Sequence, residues 1–204
     1  MSNDVLNKIL GLLLENKKFP NYHAERRIDI FINYFLTRIL SQYLDRPVEF
    51  ICPEFPIKKE KNNQSTKLDY LCKSGTEMIF VELKTDKSSF SEEQSEIYLK
   101  CDWNDCVKNL KQIIKAVKIK DHKLKYVELD SAISKIESKN ISRIRVIYIS
   151  PVIDSKKFKN TTPKNIQAIG KIDIKPQGDE NVIWEFIKSL DLSVFEITHK
   201  LNKQ

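Results

Sequence analysis

The alternation of side chains across residues 66–84 constrains this chain more tightly than any other feature. Residues 66–72 set Leu68, Tyr70 and Cys72 against Lys67, Asp69 and Leu71; Lys73-Ser74-Gly75-Thr76 follows, and Met78-Ile79-Phe80-Val81 leads into Glu82-Leu83-Lys84. Two short extended runs joined by turn-forming residues predict a β-hairpin. Because side chains alternate faces along a strand, Glu82 and Lys84 share one face. A loop with an even number of residues, such as Ser74-Gly75, brings Asp69 to that face as well, whereas an odd loop or a bulge separates them.

Two carboxylates and an amine on one face form a specific chemical set. Hard cations such as Mg²⁺ are held by one or two carboxylates together with waters and substrate phosphates, so a cation between Asp69 and Glu82 leaves coordination positions for both. The Lys84 ammonium beside it can hold a water in line with a phosphorus and offset charge on phosphate oxygens. The competing reading is a solvated hairpin whose charges face water. Glu-x-Lys alone discriminates poorly, since Glu15-Asn16-Lys17 and Glu137-Ser138-Lys139 also match it. Glu82-Leu83-Lys84 differs from both in ending an apolar strand that pairs with an acidic one.

This arrangement resembles the PD-(D/E)XK nuclease superfamily, whose core runs helix, three-stranded meander, helix, strand. The resemblance covers roughly residues 22–150. Asp69 matches the motif's aspartate, Glu82 its second acid and Lys84 its lysine, while Leu68 stands where the motif carries proline, a departure many members share. The resemblance implies an α/β, restriction-endonuclease-like fold: a central mixed sheet with a three-stranded antiparallel meander flanked by helices, in one domain over residues 1–204. Residues 1–20 would be a helical extension, 22–150 the core and 151–204 an elaboration. It also implies hydrolysis of DNA phosphodiester bonds with Mg²⁺ or Mn²⁺, RNA being left open, with the Leu83 carbonyl as a further metal ligand.

Two more elements extend the resemblance. Ser91-Glu92-Glu93-Gln94 has the form of a capping box, and Gln94-Ser95-Glu96-Ile97-Tyr98 is similar to the Gln-x-x-x-Tyr element of RecB-like members. Residues four apart share a helical face, so Gln94 and Tyr98 can approach the site together; the plainer reading makes Tyr98 a core aromatic and Gln94 an exposed residue. Upstream, His23-Ala24-Glu25-Arg26-Arg27 opens an amphipathic helix with Ile28, Ile32, Phe35, Leu36, Ile39 and Leu40 on its apolar side. The superfamily's first core helix commonly supplies an acid near its start. Glu25 is that candidate metal ligand, although glutamate in a first helical turn is also favoured by the helix dipole. His23 is the weaker alternative, and Arg26 and Arg27 are candidate phosphate contacts or a solvated face.

Composition narrows the remaining classes. The 204 residues suit one domain, and 41% hydrophobic with 31% charged content is that of a soluble globular chain. Only four glycines are present, with no Gly-x-Gly-x-x-Gly or Walker-type loop, which excludes a nucleotide-binding fingerprint. A net charge of +7 favours an acidic partner such as nucleic acid, bound in a salt-sensitive way. Cys52, Cys72, Cys101 and Cys106 lack zinc-like or iron–sulfur-like spacing and read as reduced thiols. The apolar run 5–14 is too short for a membrane span and lacks a signal-peptide cleavage site, so a cytoplasmic protein without membrane contact is expected, with this segment an amphipathic helix.

The rest reads as scaffold. Residues 48–58 predict the first meander strand, with Pro53 and Pro56 marking an edge, bulge or bend. Residues 91–118 predict one long helix with a candidate break near Asp102-Trp103-Asn104, residues 124–138 a second helix, and 145–150 a strand. Beyond them, 165–175 predicts a strand and 181–190 a helix that packs Trp184 and Ile187 inward. Residues 154–164 read as a basic loop. No internal repeat, linker or coiled coil is evident.

Overall fold

A computed structural model of the chain describes residues 3–16, 25–59, 65–86, 89–117, 120–136, 140–151, 166–178 and 180–197. Its centre is a six-stranded mixed sheet in the order β1-β2-β3-β4-β6-β5. The strands are β1 (Glu49–Lys58), β2 (Ser65–Ser74), β3 (Glu77–Leu83), β4 (Arg143–Ser150), β5 (Ile166–Lys171) and β6 (Ser193–Ile197). β1, β2 and β3 form an antiparallel meander, β3 and β4 run parallel, and β6 and β5 continue antiparallel. The helices are α1 (Asn3–Asn16), α2 (Glu25–Leu44), α3 (Glu92–Lys100), α4 (Trp103–Ala116), α5 (Lys120–Ser134) and α6 (Glu180–Ser189).

β3 dictates the layering. Every residue from Glu77 to Leu83 is buried, as expected of a central strand covered on both faces. Ile79, Val81 and Leu83 pack with Ile32, Phe35, Leu36 and Trp184 in one core, supplied by α2 and α6. Met78 and Phe80 point the other way, into a second core with Tyr98, Trp103, Leu110 and Ile133 from α3, α4 and α5. Each fully buried Ile, Val or Phe contributes about 1.5–3 kcal/mol, so both layers depend on this strand. The heptad-like spacing of Ile28, Ile32, Phe35, Leu36, Ile39 and Leu40 buries all six, as their periodicity predicts. α2 ends where Asp45 adopts a left-handed φ of 52° and the Arg46 N–H bonds back to the Ser41 carbonyl at 3.1 Å, followed by Pro47. Leu10 of α1 joins the first core, with Leu6 and Leu13 packed against it.

The β2–β3 turn is even, but its two residues are Gly75-Thr76 rather than Ser74-Gly75, because Ser74 pairs with Glu77. Gly75 takes φ 57°, which glycine adopts without a steric penalty. β1 is an edge strand with a register shift between Phe50 and Cys52, in keeping with its prolines. The break expected near Asp102-Trp103-Asn104 within 91–118 is present: α3 and α4 are separated at Cys101-Asp102, where the Asp102 carboxylate caps α4 by accepting the Asn104 and Asp105 N–H groups. Two sequence expectations need correction. The helix expected over 124–138 lies at Lys120–Ser134. β6 was not anticipated at all: it inserts between β4 and β5, so the segment after residue 150 belongs to the central sheet and, through Trp184 and Ile187 of α6, to its core. The basic loop at 154–164 lies outside the described residues.

Glu77, at the start of β3, anchors a network with Arg46, Arg143 and Arg145; Arg145 also bonds Glu196 of β6 at 2.6 Å. Burial pushes the Glu77 carboxyl up, but hydrogen bonds from Arg145, Arg143 and Arg46 outweigh it and take the pKa from 4.5 down to about 2. A depressed carboxylate pKa contributes stability that is full above about pH 4.5 and is lost as the pH falls toward 2. Glu77→Gln should therefore destabilise the fold by about 2–3 kcal/mol at pH 7 and by clearly less at pH 3, as read from urea melts. An equal loss at both pH values would remove Glu77 from this role.

Candidate active site

The site lies at the carboxyl ends of the parallel strands β3 and β4, the end of the strands at which open α/β sheets carry their ligand sites. The β2–β3 ladder ends at the pair Tyr70 and Val81, and Asp69 and Glu82 are the next residues of the two strands beyond it. There Asp69 Oδ2 accepts the Leu83 N–H at 2.7 Å, a side chain taking a donor at the end of the ladder. β3 continues to pair with β4, since the Lys84 N–H donates to the Ile149 carbonyl at 2.9 Å.

Glu82 is only 2% exposed, and both of its oxygens are engaged. Oε1 accepts from Lys84 Nζ at 2.7 Å and from Gln94 Nε2 at 2.8 Å, while Oε2 accepts from the Tyr98 hydroxyl at 2.9 Å. Gln94 Nε2 also donates to Tyr98 Oη at 2.7 Å, and the Lys67 carbonyl lies 3.2 Å from that hydroxyl. α3 delivers this pair by simple helical geometry. Ser91 Oγ caps the helix by accepting the Gln94 N–H at 3.3 Å, and the four-residue spacing stacks Gln94 over Tyr98 on the inward face. The Tyr98 ring packs edge-on against Phe80 with centroids 6.2 Å apart.

Burial raises the Glu82 pKa, and the Lys84 charge with the hydrogen bonds from Lys84, Tyr98 and Gln94 opposes that rise without cancelling it. Burial and the Glu82 charge push the Tyr98 phenol far up, so it remains a donor. Lys84 is itself largely enclosed, with 11% of its side chain exposed, so this ion pair is little screened.

The predicted positions thus divide. Glu82, Lys84, Gln94 and Tyr98 form one hydrogen-bonded cluster, and Asp69 and Leu83 adjoin it. Tyr98 is both a core aromatic and a partner of Glu82, and Gln94 is half-buried rather than exposed. The side chain of Glu25 and all of His23 lie outside the described residues, and Arg26 and Arg27 are exposed. The Tyr70 hydroxyl donates to the Asp29 carbonyl at 3.0 Å, which fastens the start of α2 to the strand position next to Asp69. The four cysteines are free thiols, three of them buried; burial lifts Cys52 and Cys72 to about 12.

Sequence reasoning missed Tyr148. Its position on β4 pairs in parallel register with Glu82, so the two stand side by side on one face. It is fully buried, and its ring meets Phe90 with centroids 5.1 Å apart. The strand at 145–150 was legible, but only the β3–β4 register shows which of its residues borders the site.

Among the described residues no three His, Cys, Asp or Glu side chains gather into a metal cluster. The donors on offer are the carboxylates of Asp69 and Glu82 and the Leu83 carbonyl. This all-oxygen, two-carboxylate set fits a hard divalent cation that retains waters and recruits phosphate oxygens, and not a soft or thiolate-bound metal. No protein-family model, curated protein or solved structure matches the chain.

Tyr98→Phe removes the donor to Glu82 Oε2 while keeping the ring. The Glu82 carboxyl should then titrate at a higher pH than in the wild type, and stability should drop by about 1–2 kcal/mol. Carbon-detected NMR titration of the glutamate carboxyls, with urea melts on the same protein, checks both; an unmoved Glu82 titration would show that Tyr98 does not support the carboxylate.

Proposed function

We propose that this protein is a metal-dependent nuclease of the PD-(D/E)XK type that hydrolyses phosphodiester bonds of DNA, and that its α2, β1–β3 meander, α3 and β4 are the restriction-endonuclease-like core. The observation that carries this reading is the hydrogen-bonded set of Glu82, Lys84, Gln94 and Tyr98, with Asp69 of β2 bonded to the adjoining Leu83 N–H. Residues spread over two separate motifs of the sequence meet at one carboxylate. A surface charge cluster has no physical need for that convergence.

A divalent cation held by Asp69, Glu82 and the Leu83 carbonyl would supply Lewis acidity and an activated water. Lys84 orients the attacking water and offsets charge that develops on the phosphate oxygens. Gln94 and Tyr98 hold the Glu82 carboxylate in one orientation and favour its charged form, as supporting groups around metal ligands do. The net charge of +7 suits a polyanionic substrate whose binding weakens as salt rises. One observation favours a second reading, a nucleic-acid-binding module without cleavage: both oxygens of Glu82 already carry hydrogen bonds from the protein.

Substitution separates the two. With Mg²⁺ or Mn²⁺ the purified protein should cut DNA, and Asp69→Ala and Glu82→Ala should each abolish both Mn²⁺ binding and cleavage. Lys84→Ala should still bind Mn²⁺ but lose cleavage by about 10²–10³-fold. Calorimetric Mn²⁺ titration paired with a cleavage assay on single-stranded, duplex, nicked and branched DNA gives the readout. Salt-sensitive DNA binding without cleavage of any substrate would select the binding module, and undiminished cleavage by Glu82→Ala would end the nuclease reading.

A further inference from the structure

We propose that Tyr148 is a positioning residue of this site, its hydroxyl donating a hydrogen bond to a water in the hydration shell of a divalent cation held at the Asp69–Glu82 pair. This rests on the metal-site reading above and deepens it. Across the sheet, Asp69 on β2, Glu82 on β3 and Tyr148 on β4 stand in one row, since Asp69 lies one step beyond the Tyr70–Val81 pair and Glu82 pairs directly with Tyr148. Two tyrosines therefore flank the same carboxylate, one from the helix above and one from the neighbouring strand, and they differ in one respect. The Tyr98 hydroxyl has Glu82, Gln94 and the Lys67 carbonyl as partners. The Tyr148 hydroxyl is buried and has no hydrogen-bond partner among the described residues.

Buried polar groups almost always have a partner, so an unpaired hydroxyl beside an acidic pair points to one that arrives with a ligand. The only other such atom among the described residues, Trp103 Nε1, belongs to a ring stacked on Phe55 rather than to the row of acids. Burial, then the charge of Glu82 and then that of Asp69 push the Tyr148 phenol well up, so it remains a donor. The size of the partner follows from enclosure. Tyr148 has no exposed surface, and Phe90 packs against its ring, so a group as large as a phosphate would have to displace the wall, which limits the partner to one of the size of a water. A buried water needs several polar partners, and the two carboxylates with a cation complete that set around the hydroxyl. Removing a group that supports metal ligation in this indirect way typically weakens metal binding by about 10–100-fold.

Tyr148→Phe removes the hydroxyl and nothing else. Free Mn²⁺, followed by electron paramagnetic resonance during titration of wild type and variant, should show an affinity about tenfold or more weaker in the variant. In EDTA the variant should melt at or above the wild-type temperature, because no protein hydrogen bond is lost. Undiminished Mn²⁺ affinity in Tyr148→Phe, with the wild type binding Mn²⁺ normally, overturns this inference alone. A variant that melts lower in EDTA or fails to fold also overturns it, since the hydroxyl then bonds within the protein. A wild type that binds no Mn²⁺ overturns the metal-site reading and this inference with it.

Discussion

A carboxylate buried at the carboxyl end of the central strand is the constraint around which the rest of this structure is arranged. Removing an ionised group from water costs several kcal/mol unless ion pairing and hydrogen bonds replace its hydration. Glu82 meets that demand from three directions: Lys84 two residues along its own strand, and Gln94 and Tyr98 from α3. Satisfying one side chain thus locks the end of β3, the helix that follows it and the face on which that helix packs. The same strand begins with a second buried glutamate, Glu77, treated in the opposite way. Three arginines hold Glu77 ionised and tie the sheet together, whereas Glu82 has a single cation and a raised pKa. The first arrangement is a structural ion network, and in the second the partners offset the effect of burial only in part.

The topology explains why these groups can meet. β3 and β4 run parallel, and a parallel pair requires a long crossover, here supplied by α3, α4 and α5. That crossover roofs one sheet face with Tyr98, Trp103, Leu110 and Ile133, and its first helix hangs Gln94 and Tyr98 directly over the end of β3. On the other side β2 pairs with β3 only from Tyr70 onward, which leaves the preceding Asp69 to bond the Leu83 N–H. The site is the place where one neighbour leaves the central strand and the other continues. The opposite face, filled by α1, α2 and α6, contributes rigidity and fastens α2 to β2 through Tyr70.

Much of this was written in local patterns. Alternation over residues 66–84 specified a hairpin, the even turn, although at Gly75-Thr76, left Asp69 and Glu82 next in line beyond the last β2–β3 pair, and the four-residue spacing of Gln94 and Tyr98 placed both on one face of a helix. The periodic apolar positions of α2 all reached the core. These features depend on strand and helix repeats, which short stretches of sequence carry in full. The break at Asp102 was legible as a region but not as a cap, because an aspartate becomes a cap only when the chain around it turns.

The sequence by itself determined the hairpin, the helix faces and the identity of the charged set that the hairpin presents. Tertiary structure alone decided that α3 folds back over the end of β3, that β6 enters the sheet between β4 and β5, and that Tyr148 stands beside Glu82. Each of these is a pairing between segments far apart in the chain. Local periodicity says which face a residue occupies but not which strand lies next to it, and it is that neighbour that leaves Glu82 with a full set of partners and the Tyr148 hydroxyl with none among the described residues.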